Sequence, residues 1–66
     1  MVSEPDELWT PQQLADFCQV PLQTVYRWNR DGTGPMYFRL GKHARYSRNE
    51  VLRWLASKRA EELGYR

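Results

Sequence analysis

The sequence lacks the residues that cross-link a small protein or anchor it in a membrane. Its 66 residues include one cysteine, Cys18, which excludes an intramolecular disulfide and cannot form a zinc site alone. No apolar run approaches the roughly 18 residues that a membrane span needs, and no signal-peptide core follows Met1. A chain this short buries only about 60% of its unfolded surface, which disfavours an enclosed catalytic cleft. We expect one soluble, intracellular domain.

Basic residues are missing from the first 20 positions. The charged residues of this segment are all acidic: Glu4, Asp6, Glu7 and Asp16. All 10 Lys and Arg residues lie in residues 21–66, where 4 acidic residues leave a formal charge of +6, although the whole chain is only +2. This asymmetry indicates a polyanionic partner such as nucleic acid, and a solvated basic surface is the alternative.

Capping residues and apolar spacing predict the first and third helices. Thr10 and Gln13 form a capping box around Pro11, and this helix is expected to end near Gln19, before Pro21. Ser47 and Glu50 repeat the box for the third helix. The expected buried stripes are Leu14, Ala15, Phe17 and Cys18 in the first helix, and Val51, Leu52, Trp54 and Leu55 in the third.

The second helix is predicted to begin at Pro21 or Leu22, to run to about Asp31 and to end at a left-handed Gly32. Its apolar residues recur every third position and should face the core: Leu22, Val25 and Trp28. Its polar residues share the opposite face: Gln23, Tyr26, Arg27 and Arg30.

Two short β-type runs, residues 37–40 and 44–46, flank residues 41–43 and predict a hairpin with Gly41 near its tip. Leu8 and Trp9 are expected to form a short extended segment. The fold class is therefore mainly α with a small β-hairpin: a winged helix-turn-helix of three helices and a two-stranded wing. The domain is predicted to span residues 8–60, between a flexible acidic N-terminus (residues 1–7) and a frayed C-terminus (residues 61–66).

The polar face of the second helix carries groups that read DNA bases. Glutamine pairs with adenine and arginine with guanine through two hydrogen bonds, each pair giving about 1–3 kcal/mol of discrimination. Thr24 could donate to a phosphate near the start of this helix. The hairpin adds residues that could reach the flanking backbone or minor groove: Arg39, Lys42, His43 and Arg45.

Several residues allow two interpretations, one structural and one functional. Trp9, Trp28 and Trp54 are expected to pack in the core. The aromatic residues of the hairpin could stack on single-stranded bases, but their alternation with arginines favours a half-buried wing: Tyr37, Phe38 and Tyr46. Cys18 is expected to be a buried, unreactive thiol. His43 is placed at the wing tip, against a phosphate or in solvent. We expect no catalytic residue, metal or cofactor.

The sequence resembles a known family along most of its length. The residues that carry the resemblance are Leu8-Trp9-Thr10-Pro11 and Leu14-Ala15, Thr24-Val25-Tyr26-Arg27-Trp28, Gly34-Pro35, Arg39-Leu40-Gly41-Lys42, Arg45-Tyr46 and Val51-Leu52-Arg53-Trp54-Leu55. Over residues 8–56 the chain resembles the small winged helix-turn-helix domains of phage and integrative-element excisionases, which are related to MerR-type DNA-binding domains. It departs from them at Pro21, where many relatives carry a capping Ser or Thr, and lacks the coiled coil and effector domain of full MerR regulators.

The resemblance implies a sequence-specific double-stranded DNA-binding protein without enzymatic activity. It places the DNA-facing residues at Gln23, Thr24, Tyr26 and Arg27 in the second helix, and at Lys42, His43 and Arg45 in the wing. Excisionases of this kind bind repeated sites cooperatively, bend DNA and direct a tyrosine- or serine-type integrase towards excision. The implied location is the cytoplasm of a bacterial host, on the nucleoid and away from membranes.

Two other functions remain open from the sequence. A small MerR-like transcriptional regulator would need the same groove-reading surface. From a different class, a protein-interaction module or antitoxin-like partner would use the basic face on an acidic protein, and a steep salt dependence of DNA binding would distinguish it from a DNA-binding protein.

Overall fold

The computed structural model describes residues 6–64, and of residues 60–64 it describes the backbone alone. The predictions for residues 1–5 and 65–66 lie outside the described residues. Strand β1 (Leu8–Trp9) precedes helices α1 (Pro11–Cys18) and α2 (Leu22–Asp31), strands β2 (Phe38–Leu40) and β3 (His43–Ser47), and helix α3 (Arg48–Gly64). This arrangement confirms the predicted fold class, mainly α with a small hairpin, as in a winged helix-turn-helix. Over residues 6–64, no helix is long and apolar enough to cross a membrane.

The predicted start of α1 is confirmed. The Gln13 N–H donates to Thr10 Oγ1 at 3.1 Å, and the Thr10 N–H donates back to Gln13 Oε1 at 2.8 Å. The helix ends at Gln19, which adopts the left-handed conformation (φ 60°) that glycine more often supplies. This residue turns the chain within a few positions, so that α2 starts at Leu22 and packs against α1.

The apolar stripe predicted for α1 is wrong at one position, because Phe17 is 48% exposed. Its ring centroid lies 4.9 Å from that of Trp9, which is itself buried. In a helix of only 8 residues, Leu14 and Ala15 already fill the side facing the core. Trp9 then separates Phe17 from the interior.

The helix α2 matches its prediction at both ends. Pro21 precedes its first residue, and Gly32 ends it in the left-handed conformation at φ 72°. Val25 is fully buried, and Leu22 and Trp28 pack against the core from either side. These apolar contacts fix one side of α2 against the domain, and the polar side is left facing outward.

The hairpin belongs to an antiparallel sheet of three strands, in the order β1-β3-β2. The predicted extended segment is confirmed as β1, which pairs with the end of β3 through Trp9 and Tyr46. Two details of the predicted hairpin are wrong. Tyr37 precedes β2 rather than belonging to it, and His43 lies in β3, paired with Leu40, rather than in the loop. Gly41, at φ 66°, permits the tight turn that leaves His43 in the strand. We call the β2–β3 hairpin the wing.

The start of α3 is held by the chain that precedes β1. Ser47 caps the helix by accepting from the Glu50 N–H at 3.3 Å, as predicted, while its hydroxyl donates to the Asp6 carboxylate. The Arg48 N–H donates to the Glu7 carbonyl at 2.9 Å. The Glu50 carboxylate accepts from Arg53 at 2.8 Å. Asp6 and Glu7, at the end of the segment predicted to be flexible, therefore contact α3.

Two further expectations for α3 differ from the structure. Leu52 is 37% exposed, because Val51 takes the fully buried position and the small core has no space for a wider stripe. The helix also continues to Gly64, through residues 61–64 that were expected to fray. Glutamate, leucine and alanine favour a helix even where the sequence pattern is polar, and each added residue extends an already formed helix at little cost.

The core is a single cluster to which every element except β2 contributes a buried residue. Its members are Trp9, Leu14, Ala15, Val25, Tyr46 and Val51. The prediction that the tryptophans pack in the core is confirmed for Trp9, which is buried, and for Trp28, which packs against the cluster. Trp54 is half-buried outside the cluster, with its ring centroid 4.9 Å from that of Trp28. The Trp54 Nε1–H donates to the Thr33 carbonyl at 3.2 Å, which ties the loop after α2 to α3.

Candidate nucleic-acid interface

The structure brings the predicted residues of α2 together on one open surface. The residues that line this shallow depression are Pro21, Gln23, Thr24, Tyr26, Arg27 and Arg30. They meet because the spacing of 3.6 residues per turn places them on one side of a short helix. Tyr26 is 53% exposed, as its position on the polar face predicted. We call this surface the α2 face.

The α2 face is supported from behind by tight packing. Fully buried Val25 lies on the other side of the helix. Gly34, in the loop that follows the helix, lies close to Trp28. A Cβ added at Gly34 would lie 2.8 Å from Trp28 Cβ, closer than such atoms ever come. The loop therefore passes directly over Trp28, and α2 has little freedom to rotate.

The first turn of α2 presents backbone N–H groups without a side-chain cap. Pro21 occupies the N-cap, and its side chain has no group that could accept a hydrogen bond from the helix. The Thr24 N–H donates to the Pro21 carbonyl at 2.9 Å, so that within residues 6–64 the unpaired N–H groups of this turn are those of Leu22 and Gln23. The N-terminus of a helix favours the binding of an anion. Half-buried Thr24 lies in this first turn of α2.

The wing residues that were predicted to contact DNA lie on two different faces of the sheet. Side chains alternate along a strand, and the pairs Phe38 with Arg45 and Leu40 with His43 place these four residues on the outer face. Arg39 pairs with Ala44 and points to the other face, the one that carries buried Tyr46. Lys42 lies in the turn. The wing residues therefore do not form one continuous surface.

The arginines of the wing are also engaged with neighbouring groups. The Arg45 guanidinium donates to the Ala44 carbonyl at 2.8 Å, which holds a half-buried side chain along its own strand. The Arg39 guanidinium lies 6.0 Å from the centre of the Tyr37 ring. Lys42 and His43 are exposed at the end of the hairpin.

The aromatic residues of the wing follow the half-buried prediction only in part. Tyr46 is fully buried, and half-buried Tyr37 lies against it with 5.6 Å between ring centroids. Phe38 is 52% exposed on the outer face, next to Leu40 at 51%. The outer face of the sheet is therefore partly apolar.

One contact that the sequence pattern missed joins the α2 face to the wing. The Asn29 Nδ2–H donates to the Tyr46 hydroxyl at 2.6 Å. Burial raises the pKa of the Tyr46 phenol, and this hydrogen bond works in the opposite direction. At 3.6 residues per turn Asn29 falls between Val25 and Leu22, on the side of α2 that faces the core, and a polar residue on that side was the one signal available in the sequence.

Cys18 is half-buried rather than fully buried, and burial raises the pKa of its thiol. A raised pKa keeps the thiol protonated at neutral pH, which fits the predicted unreactive side chain. Among the side chains of residues 6–59, no group of three or more His, Cys, Asp or Glu could hold a metal ion.

Comparison with known proteins agrees with this geometry. A family model described as a helix-turn-helix domain matches residues 10–59, from the cap of α1 into the second half of α3. No curated protein and no solved structure matched the chain. The match covers more than half of the sequence and includes both helices of the α1–α2 pair, the wing and the α2 face. The chain therefore belongs to the helix-turn-helix domain family. A domain of this family indicates DNA binding.

Proposed function

We propose that this protein binds double-stranded DNA sequence-specifically, with α2 in the major groove and the wing on the flanking backbone or minor groove. The observation that carries the proposal is the α2 face, where amide, phenol and guanidinium groups share one side of a helix whose other side is buried. A helix with exposed base-reading groups and a firmly packed back is what major-groove recognition requires.

Charge supports duplex DNA as the partner. The two arginines of the α2 face and the whole wing lie within residues 27–48, a stretch with one acidic residue, Asp31, against six basic ones: Arg27, Arg30, Arg39, Lys42, Arg45 and Arg48. Asp31 pairs with Arg30 at 3.3 Å, but both side chains are largely exposed, so this pair contributes little and Arg30 remains available to a phosphate. Arg27 and Lys42 are exposed, and no acidic side chain of residues 6–59 lies at salt-bridge distance from either.

Within this function, we propose an excisionase-like role in which the protein binds repeated sites, bends DNA and directs an integrase towards excision, with no catalytic activity of its own. The family includes excisionase-like DNA-binding proteins. Bending a site costs about 1–6 kcal/mol, which a single protomer of this size is poorly able to supply. Cooperative protomers or the integrase would offset that cost.

Footprinting on an attachment region, followed by an excision assay with the cognate integrase, tests this role. We expect protection of several phased sites and excision only when the protein is present. Protection of one isolated site at a promoter, without an effect on excision, would instead assign the protein to small transcriptional regulators.

Salt dependence tests the DNA-binding function itself. A protein that neutralises about four to six phosphates loses affinity with a slope of about −4 to −5 in a plot of log K against log salt. A slope near zero on duplex DNA, together with tight binding to an acidic protein, would favour the protein-interaction alternative.

A further inference from the structure

Helix α2 and the wing share one core but make few direct contacts with each other. Helix α2 packs chiefly against α1, whereas strand β3 packs against α1, α3 and its two neighbouring strands. A DNA duplex contacted by both would require them to keep a fixed spacing. The structure therefore raises the question of which group holds the wing relative to α2.

The hydrogen bond between Asn29 and Tyr46 makes this connection directly. Asn29 is on α2 between Arg27 and Arg30, and Tyr46 is on β3 one residue after Arg45. The 2.6 Å bond joins residues 17 positions apart. The Tyr46 side chain is fully buried, so its ring cannot shift without disturbing the core. A hydrogen bond in such surroundings is stronger and more directional than one in water.

We propose that Asn29 and Tyr46 are positioning residues for DNA recognition: their hydrogen bond fixes the wing relative to α2, so that both engage one DNA site at the same time. The inference rests on the proposed DNA-binding function. Neither residue needs to touch DNA. Once α2 is bound, a wing held in place makes its own contacts at little further entropic cost, whereas a wing that moves loses this advantage.

The consequence is a coupling between the two DNA-contacting regions. When the hydrogen bond between Asn29 and Tyr46 is intact, removing a wing contact with DNA reduces the affinity for the specific site by the whole contribution of that contact. When the hydrogen bond is absent, the wing contributes less to the affinity, so removing the same contact reduces the affinity less. Non-specific DNA, which does not require α2 and the wing in one fixed arrangement, is affected less by the loss of the link.

The test uses the complete chain and a duplex selected by the wild-type protein from a library of randomised sequence. Affinities for this duplex and for a scrambled one are compared in Tyr46→Phe, which removes the hydroxyl and keeps the ring. Tyr37→Phe is the matched control, because the Tyr37 hydroxyl has no hydrogen-bond partner among the side chains of residues 6–59 or the backbone of residues 6–64. All measurements are made at a temperature where circular dichroism shows each variant folded.

We expect Tyr46→Phe to weaken binding to the selected duplex about tenfold and to the scrambled duplex less than about twofold. Tyr37→Phe should change neither. Lys42→Ala should weaken binding to the selected duplex by a clearly smaller factor in the Tyr46→Phe background than in the wild type. A residue that serves only stability would leave that factor unchanged.

Equal losses on both duplexes, or an unchanged Lys42→Ala factor, would overturn the inference. If Tyr46→Phe does not fold, Asn29→Ala removes the same bond from the α2 side, at a half-buried residue, and is subject to the same outcomes. Failure of the wild-type chain to enrich any sequence would contradict the proposed function instead, so the two failures are distinguishable.

Discussion

The α2 face and the wing divide the predicted DNA-contacting residues between them but support these residues in different ways. Behind the α2 face lie fully buried Val25 and the closely packed Trp28. In the wing, every residue of β2 is exposed, and of the residues of β3 the core cluster includes Tyr46 and is contacted by Ala44. One region is a rigid surface and the other a hairpin attached at its base.

This difference separates two kinds of contact. Reading bases in a groove requires side chains fixed to within a fraction of a hydrogen-bond length, which a helix packed from behind provides. Contact with phosphates tolerates movement, because charge acts over a longer range and a lysine is flexible. We therefore assign base reading to the α2 face and backbone contact to the wing, and the following predictions test that division.

The largest expected effect is on stability and compares the same deletion in the core beneath the helix pair and in the wing. Leu14→Ala removes a fully buried side chain beneath the helices and should cost about 2–5 kcal/mol of unfolding free energy. Leu40→Ala removes one that is 51% exposed in the wing and should cost less than about 0.5 kcal/mol. Urea unfolding at low temperature measures both. Equal costs would show that the wing is packed as firmly as the helices.

The sequence could predict the helices and the α2 face because the relevant signals are local. The capping box of Thr10 and Gln13 involves residues three apart, and the two faces of α2 follow from the spacing of Val25 and Arg27 within one helix. Such signals do not depend on the rest of the fold. For this reason the bounds of α1 and α2 agree with their predictions.

The wing and its attachment depend on residues distant in sequence. Arg39 faces away from Arg45 because of the strand register, which the Gly41 turn determines. The bond between Asn29 and Tyr46 spans 17 positions, and that between Asp6 and Ser47 spans 41. A sequence pattern shows that these residues are polar but does not show which of them meet, so both contacts became visible only in the structure.

The second prediction concerns base reading by the α2 face. Arg27→Ala should weaken binding to the selected site by about 1–3 kcal/mol and relax the preference at one base pair. Arg53→Ala is the matched control, because this exposed arginine lies on α3 and pairs with Glu50. Binding measured on a panel of single-base variants of the site reveals the relaxed position. If Arg27→Ala reduced the affinity equally for every variant of the site, Arg27 would contact the DNA backbone rather than a base.

The third prediction concerns backbone contact by the wing. Lys42→Ala should weaken binding to every DNA sequence by a similar factor, and it should reduce the salt slope by about one. Lys58→Ala provides a lysine control on α3, where the ammonium lies 5.9 Å from the Trp54 ring, and should leave the slope unchanged. If Lys42→Ala changed the preferred sequence, the wing would also read bases. If both Arg27→Ala and Lys42→Ala left binding intact, the assigned DNA surface would be wrong.

The smallest expected effect is a pH dependence at the junction of the two regions. Burial raises the pKa of Tyr46 above its ordinary value of 10.0. The folded protein thus holds the phenol proton more tightly than the unfolded chain does, and this contribution to stability is present below pH 10 and lost as the pH rises through the raised pKa. Ionisation in the buried site also weakens the attachment of the wing.

We therefore expect the difference in Tm between the wild type and Tyr46→Phe to narrow as the pH rises above about 10. Other groups titrate in this range, but they are common to both proteins and cancel in the difference. Thermal unfolding followed by circular dichroism between about pH 8 and 11 measures it. A difference that stays constant over this range would mean that the Tyr46 hydroxyl has the same pKa in the folded and unfolded chain, and that the junction is more open to water than its burial implies.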